Sequence, residues 1–303
     1  MPHGPPAGGR RAAENGLRRR ANLTTMFPLG DTNLDPAAAL NQAHWDERVP
    51  LHLAGEFYDV AGFRRRPDVL RAFEVAEVGE VSGRRLVHLQ CHLGLDSLSW
   101  ATRGAAVVGL DFSAPAVEAA RALAAELGVD ARFVVADVYD AVEALGGETF
   151  DVVYTGIGAL PWLADLHRWA RVVERLLTPG GYLYLAESHP FAHTLDEATG
   201  TMVARDYFDE GPHVWTDTGS YADRLAVTAQ NTTVQYDHRL GSVVSAIAAA
   251  GLRIEFLHEH DKALFAKFDT LVRGPDGFRP PEGRHRLPLM YSLRATKPGH
   301  PAA

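Results

Sequence analysis

From Pro36 to Glu77 apolar residues return at helical spacing: Ala37 and Leu40 with His44 and Trp45, then Leu53, Phe57 and Tyr58, then Val69, Leu70, Phe73 and Val75. That period predicts an amphipathic helical cap over 36–82. It would open at Asp35-Pro36, an N-cap acid followed by a first-turn proline. After Gly83 the period changes. Short apolar runs at 86–89, 106–110, 131–136, 152–154 and 182–186 read as strands, and 94–103, 114–127 and 163–177 between them read as helices. Strands separated by helices of this length form right-handed βαβ units, hence a parallel sheet. Residues 188–240 break the rhythm. They lack a helical period and are rich in aromatics (Phe191, Tyr207, Phe208, Trp215, Tyr221, Tyr236) and histidines (His189, His193, His213, His238). A stretch of that length predicts a functional insert, here a lid over the substrate. A helix at 241–250 and strands at 252–257 and 289–295 follow, with 275–288, heavy in Gly, Pro and Arg, expected as a loop.

Composition narrows the class. The 303 residues are 46% hydrophobic and 22% charged, as in a packed globular protein. No run of apolar residues is long enough to span a bilayer, so no membrane partner is expected. A single cysteine, Cys91, excludes a disulfide framework and a thiolate zinc site, and suits the cytoplasm. The net charge of −8 argues against a nucleic-acid partner, because phosphate backbones need a basic surface. Only the N-terminus runs the other way: Arg10, Arg11, Arg18, Arg19 and Arg20 face one acid, Glu14. With no apolar core to this segment it is not a secretory leader, and residues 1–30 are expected as a disordered arm, with Met26 a second possible start.

The chemistry concentrates at strand ends. The first strand runs into Gln90-Cys91-His92-Leu93-Gly94 and a helix, and the second ends at Asp111, seventeen residues past Gly94. An acid at that place is where nucleoside binders hold ribose hydroxyls. A dinucleotide would need glycines at 90, 92 and 94 so that pyrophosphate could approach bare backbone. Gln90 and His92 block two of them. S-adenosylmethionine (SAM) has no pyrophosphate and tolerates a more crowded loop, with Gly94 letting its methionine half pass. The third strand also ends on an acid, Asp137. Either Asp111 or Asp137 could simply cap the following helix; two acids at consecutive strand ends favour a ligand site.

At these residues the chain resembles the class I SAM-dependent methyltransferases. Their first motif, a strand followed by hydrophobic-D-x-G-x-G-x-G, corresponds to residues 87–94, with His88 at the usual acid and Gln90 and His92 at the first two glycines. Residues 107–113 resemble the second strand with its ribose acid, 134–138 the third, 150–154 the fourth, and 177–183 the turn into the fifth. The resemblance covers roughly 84–187 and returns at 241–296. It implies an α/β, Rossmann-like fold for 83–300: a seven-stranded, mostly parallel sheet with the last strand antiparallel and helices on both faces. It further implies SAM as cofactor, held by Gln90, His92, Gly94, Asp111, Phe112, Ser113, Asp137, Val138, Thr155 and Gly156. The activity implied is methyl transfer to a small-molecule O, N or C acceptor, releasing S-adenosylhomocysteine. A non-catalytic SAM-binding regulator on the same fold is the alternative.

Where DNA amino-methyltransferases show Asn-Pro-Pro-Tyr this chain has Thr155-Gly156-Ile157-Gly158, a further argument against nucleic acid. His258, Glu259, His260 and Asp261 invite a metal reading, but no third spaced ligand accompanies the pair of histidines, and no metal centre is expected. Trp45 and Tyr58 could belong to a lid over the methionine end or to the core. For a general base the candidate is His189, at the end of the fifth strand and fixed by Pro190. His238 and Glu259 are the reserves.

Overall fold

The computed structural model describes residues 36–299; the expected arm at 1–30 and the cap acid Asp35 lie outside them. The cap consists of three helices, α1 (Pro36–Ala54), α2 (Val60–Arg65) and α3 (Ala72–Val78). Then come β1 (Arg85–Leu89), α4 (Leu95–Thr102), β2 (Ala106–Asp111), α5 (Ala114–Leu127), β3 (Ala131–Val135), α6 (Ala141–Ala144), β4 (Phe150–Thr155), α7 (Leu166–Leu176) and β5 (Leu177–Ser188). The insert holds α8 (Pro190–His193), β6 (His213–Thr216) and β7 (Thr232–Gln235). The chain closes with α9 (Leu240–Ala249), β8 (Arg253–His260), β9 (Val272–Gly274), β10 (Gly277–Arg279) and β11 (Met290–Thr296).

The main sheet has seven strands in the order β3-β2-β1-β4-β5-β11-β8. β11 runs antiparallel between β5 and β8, and the pairs from β3 to β5 are parallel. Strands β1, β2 and β4 are nearly continuous apolar runs because both faces are covered. On one face, Val87, Leu89, Val153, Leu183 and Leu185 pack against Trp169 and Val173 of α7 and Ile247 of α9. On the other, Leu86, Val107, Tyr154 and Tyr184 pack with Trp100 of α4 and Val78 of α3. The strand order reverses between β1 and β4, and the crevice at their carboxyl ends is where open α/β sheets bind ligands.

Local signals account for most boundaries. Ser113 caps α5 by accepting the Ala116 amide (3.3 Å), Pro115 occupies its first turn, and Gly128 ends it at φ +63°. α7 begins three residues later than its period predicts. The Asp165 carboxylate accepts the Arg168 amide (2.8 Å), so the cap falls at 165, and a 3-10 turn around Pro161 takes up Leu160–Trp162. The expected loop at 275–288 is partly a hairpin. β9 and β10 pair across a two-residue Pro275-Asp276 turn, with Asp276 taken by Lys262 (2.7 Å) and Arg279 (2.8 Å). Glycine and proline mark that turn in the sequence, but strands of three residues are too short to show a period.

The cap and the insert interlock. Asn41 of α1 exchanges two hydrogen bonds with the backbone of Val234 in β7 (2.8 and 2.9 Å), as a neighbouring strand would. Glu47 accepts the amides of Ala229 and Gln230 (2.8 and 2.7 Å). Arg48, only 1% exposed, donates to the carbonyls of Gly219 and Gln230 (both 2.9 Å). An arginine spent on main-chain carbonyls holds a loop in shape by its fixed fork of donors.

Candidate active site

The loop after β1 keeps a three-glycine backbone path with only one glycine in it. Gln90 (φ 58°), His92 (φ 48°) and Gly94 (φ 72°) all lie in the left-handed region. For the two side-chain-bearing residues this costs about 1–3 kcal/mol each, strain that the surroundings must offset. Asp111 supplies part of the compensation. It is 5% exposed, and its carboxylate accepts the His92 amide (2.8 Å) and the Ser113 amide (2.9 Å), tying the loop to the end of β2. Burial pushes its pKa up to about 6 against the lowering effect of these amides. Gly94 serves the core: a Cβ there would meet the Phe133 ring at 2.7 Å and Ala120 at 2.9 Å. The space its hydrogen leaves is filled by protein, so anything Gly94 offers a ligand comes from its backbone, which corrects the expectation of an open passage.

Phe112 follows Asp111, its carbonyl accepting Gln42 of α1 (2.7 Å), while Ser113 is fully buried as the α5 cap. Asp137, half-buried, accepts the Tyr139 amide (2.8 Å) and so does cap the short turn after β3; Val138 is buried in the core beneath it. Both acids thus have a local structural duty at the sheet's carboxyl edge.

β1 and β4 meet in register at Leu89 and Thr155, which brings Gln90 beside the 155–160 loop. Gln90 donates to the Ala159 carbonyl (3.0 Å), and from the other side buried Glu187 of β5 accepts the amides of Gly158 (2.9 Å) and Leu160 (3.0 Å). A Cβ at Gly156 would make ordinary van der Waals contact, the nearest atoms being His88 Nε2 at 3.5 Å and the Tyr154 ring at 3.6 Å. His88, at the acid position, is a core histidine whose Nδ1 pairs with Ser97 Oγ (2.8 Å); burial lowers its pKa to about 3.

Three buried side-chain oxygens around this crevice have no protein partner: Gln90 Oε1, Thr155 Oγ1, and Oδ1 of Asp46 from α1. Unsatisfied buried acceptors are uncommon and each calls for a ligand or water. Over the loop, Trp45, His52 and Tyr58 of the cap close on the His92 ring at 5.2, 5.0 and 5.5 Å between centroids, joined by Trp162 and Tyr221. His52 Nδ1 pairs with His92 Nε2 (2.8 Å), and His52 Nε2 with Ser220 Oγ (2.7 Å). Burial keeps both imidazoles neutral, at about 4 for His52 and about 3 for His92. The site therefore offers carboxylates, aromatic faces and neutral rings, while the nearby Arg48 and Arg71 are engaged by backbone carbonyls and by Glu74 respectively. That set fits the positively charged sulfonium of SAM.

The candidate bases separate. His189 Nδ1 accepts the Phe191 amide (3.1 Å) as the cap of α8, so its neutral ring carries the proton on Nε2. Nε2 lies 3.0 Å from Glu259 Oε1, off the line of an aligned hydrogen bond. Burial lowers the His189 pKa while Glu259 raises it. Neither nitrogen of the neutral ring has a lone pair to spare. His238 donates its Nε2–H to the Leu163 carbonyl (2.8 Å). It lines a small cavity at the carboxyl ends of β4 and β5, with room for about one water (≈ 10 Å³), together with Glu187, Ser188, His193, Tyr236 and Tyr291. His258 and His260 are taken by Glu77 (2.8 Å) and Ser292 (2.9 Å). Sequence reasoning missed Asp46, His52 and the His193–Asp237 pair; the density of histidines in the cap and insert was their only signal.

Residues 87–185 match the family described as methyltransferase domain. The chain is 31% identical over 126 residues to a ubiquinone biosynthesis O-methyltransferase of Brucella anthropi, a match spanning 42% of this chain and 46% of that protein. It is 29% identical over 211 residues to the protein of the same name from Xanthomonas euvesicatoria, spanning 68% and 81%. The fold is shared with a putative SAM-dependent methyltransferase from Listeria monocytogenes (TM-score 0.53, 18% identity, 74% of this chain and 96% of that one). It is shared equally with a SAM-dependent methyltransferase from Clostridium acetobutylicum (0.53, 10%, 80% and 98%). Residues 87–185 thus carry a methyltransferase domain, and the chain's motifs and strand order are similar to those of the class I SAM-dependent methyltransferases.

Proposed function

We propose that this protein transfers the methyl group of SAM to a hydroxyl oxygen of a small molecule. The observation that carries the reading is the crevice between β1 and β4. There a loop with three left-handed residues is tied to buried Asp111, and buried oxygens of Gln90, Thr155 and Asp46 have no hydrogen-bond partner in the protein. Asp111 would accept the ribose hydroxyls. Phe112, Asp137 and the Val138 backbone would border the adenine, and the loop backbone at Gln90, His92 and Gly94 the methionine half. Ser113 acts through its cap. Bound SAM supplies an electrophilic methyl on a positively charged sulfur. The protein's part is alignment and exclusion of water, and alignment alone is worth about 7–11 kcal/mol. Thr155 and Gly156 border the acceptor side, with α1 and the insert closing over it.

The oxygen acceptor is suggested by the relatives' name, O-methyltransferase, and by the cavity beyond the 155–160 loop, whose lining of Ser188, Tyr236, Tyr291 and neutral histidines suits a hydroxyl. The test is incubation with SAM bearing a deuterated methyl and a panel of phenols, catechols, amines and thiols, read by mass spectrometry. Label on oxygen with one S-adenosylhomocysteine per transfer supports the reading. Label only on nitrogen or sulfur moves the acceptor class. Tight SAM binding without transfer to any probe gives the non-catalytic alternative.

A further inference from the structure

α8 ends at His193, and β7 leads into Asp237, which places the two residues against each other from opposite ends of the insert. The His193 Nδ1–H donates to Asp237 Oδ1 at 2.9 Å. An ionised carboxylate only accepts, so the neutral ring has its proton on Nδ1 and its lone pair on Nε2. Both side chains are largely buried, 19% and 26% exposed, and His193 lines the water-sized cavity at the carboxyl ends of β4 and β5. The second oxygen of Asp237 lies 3.4 Å from His213 Nε2, whose N–H donates to the Asp209 carbonyl (3.1 Å). Glu187, a wall of the same cavity, holds the 155–160 loop through two amides, which links the cavity mechanically to the crevice that would take the cofactor.

We propose that His193, oriented by Asp237, is the general base for the acceptor hydroxyl, which enters the cavity in place of water. The inference rests on the O-methylation reading above. As the new oxygen–carbon bond forms, the hydroxyl proton passes to His193 Nε2; the carbon–sulfur bond breaks and its electron pair stays on sulfur, neutralising the sulfonium. The proton then leaves to solvent. Compared with His189, whose Nδ1 is consumed as a helix cap, His193 has the right tautomer, a carboxylate behind it and a place on the cavity wall. The charged and titratable groups around it are Asp237, His213, Lys267, Arg205 (Nη1 3.4 Å from the His193 carbonyl), Glu187 and His238. Burial and the Lys267 charge hold its pKa down, to about 4, against Asp237, so the ring is unprotonated and able to accept at neutral pH.

The test has two arms. In the full chain labelled with 15N-histidine, NMR should show His193 as the Nδ1–H tautomer at neutral pH, and Asp237→Asn should abolish that preference. A proton on Nε2, or a tautomer indifferent to Asp237→Asn, overturns the dyad whatever the acceptor. In the kinetic arm, with a catechol or phenol that the wild type methylates, His193→Gln should lower kcat about a hundredfold at neutral pH. KM and S-adenosylhomocysteine affinity should stay within about threefold. The deficit should shrink roughly tenfold per pH unit as the acceptor approaches its own ionisation, because a phenolate needs no base. An unchanged kcat, or a deficit independent of pH, overturns the proposal. A wild type that methylates amines or thiols but no hydroxyl overturns the reading beneath it instead.

Discussion

Replacing Asp111 by asparagine separates the carboxylate's charge from its shape. In the wild type the group accepts two backbone amides at 2.8 and 2.9 Å while burial raises its pKa from 3.8 to about 6. A carboxyl raised in the folded state binds more protons folded than unfolded, so stability is highest below its unfolded pKa and falls as pH rises between about 4 and 6. A shift of about two units corresponds to roughly 3 kcal/mol of cost at neutral pH. Asparagine removes that cost, but its NH₂ faces one of two amide donors, a mismatch of about 1–3 kcal/mol. The two effects nearly cancel, so the ligand-free variant should unfold within about 2 kcal/mol of wild type at pH 7. Its stability should lose the downward slope between pH 4 and 6. Ligand affinity should not be spared. One charge-assisted hydrogen bond to a ribose hydroxyl is worth about 1.5–3 kcal/mol, or a 10- to 150-fold rise in Kd. Wild-type affinity for S-adenosylhomocysteine should itself weaken as pH falls through about 6, and the variant's should not. Titration calorimetry from pH 5 to 8 with parallel denaturant melts reads both. Wild-type affinity in Asp111→Asn would refute the ribose assignment, and an unaltered pH slope of stability would refute the burial argument.

Gly94→Ala should destabilise by about 2–4 kcal/mol, since it combines φ +72° with a Cβ only 2.7 Å from the Phe133 ring, whereas Gly156→Ala, with 3.5 Å of room, should leave the melting temperature nearly unchanged. Equal effects in thermal melts would contradict the packing argument. Arg48→Met should keep the sheet intact but unpair the Gly219 carbonyl and leave that of Gln230 with His44 alone, and hydrogen exchange should accelerate in residues 217–231 and in α1 together. Faster exchange in only one of the two would show that the cap and insert do not open as a unit.

The sheet was legible because its strands and helices carry opposite periods, and every one of the first five strands lies where its apolar run stands. Asp111 and the 90–94 loop were legible for a different reason: a nucleoside site needs a carboxylate at a fixed distance from a strand–loop–helix turn. What the pattern could not show is that Gln90 and His92 adopt glycine-like dihedrals, because that depends on Asp111 accepting the His92 amide from another strand. Nor could it show that Gly94 is needed by Phe133 rather than by a ligand. The proposed base was obscured most. His189, His193 and His238 are equivalent as letters, and only the fold reveals that a backbone amide occupies one ring, a carbonyl another, and that Asp237, 44 residues from His193, stands behind the third. Irregular segments give no period, so contacts within 188–240 and between it and α1 are visible only once the chain is folded.

If the crevice between β1 and β4 holds SAM with its reactive side toward the cavity of His193, a crystal structure with S-adenosylhomocysteine bound will show ribose hydroxyls within hydrogen-bond distance of the Asp111 carboxylate. It will also show a ligand partner for Gln90 Oε1, Thr155 Oγ1 or Asp46 Oδ1, and the sulfur directed past Thr155 and Gly156 toward the cavity lined by His193 and His238. A ligand bound away from Asp111, or with its sulfur turned to a face that the insert does not cover, would contradict it.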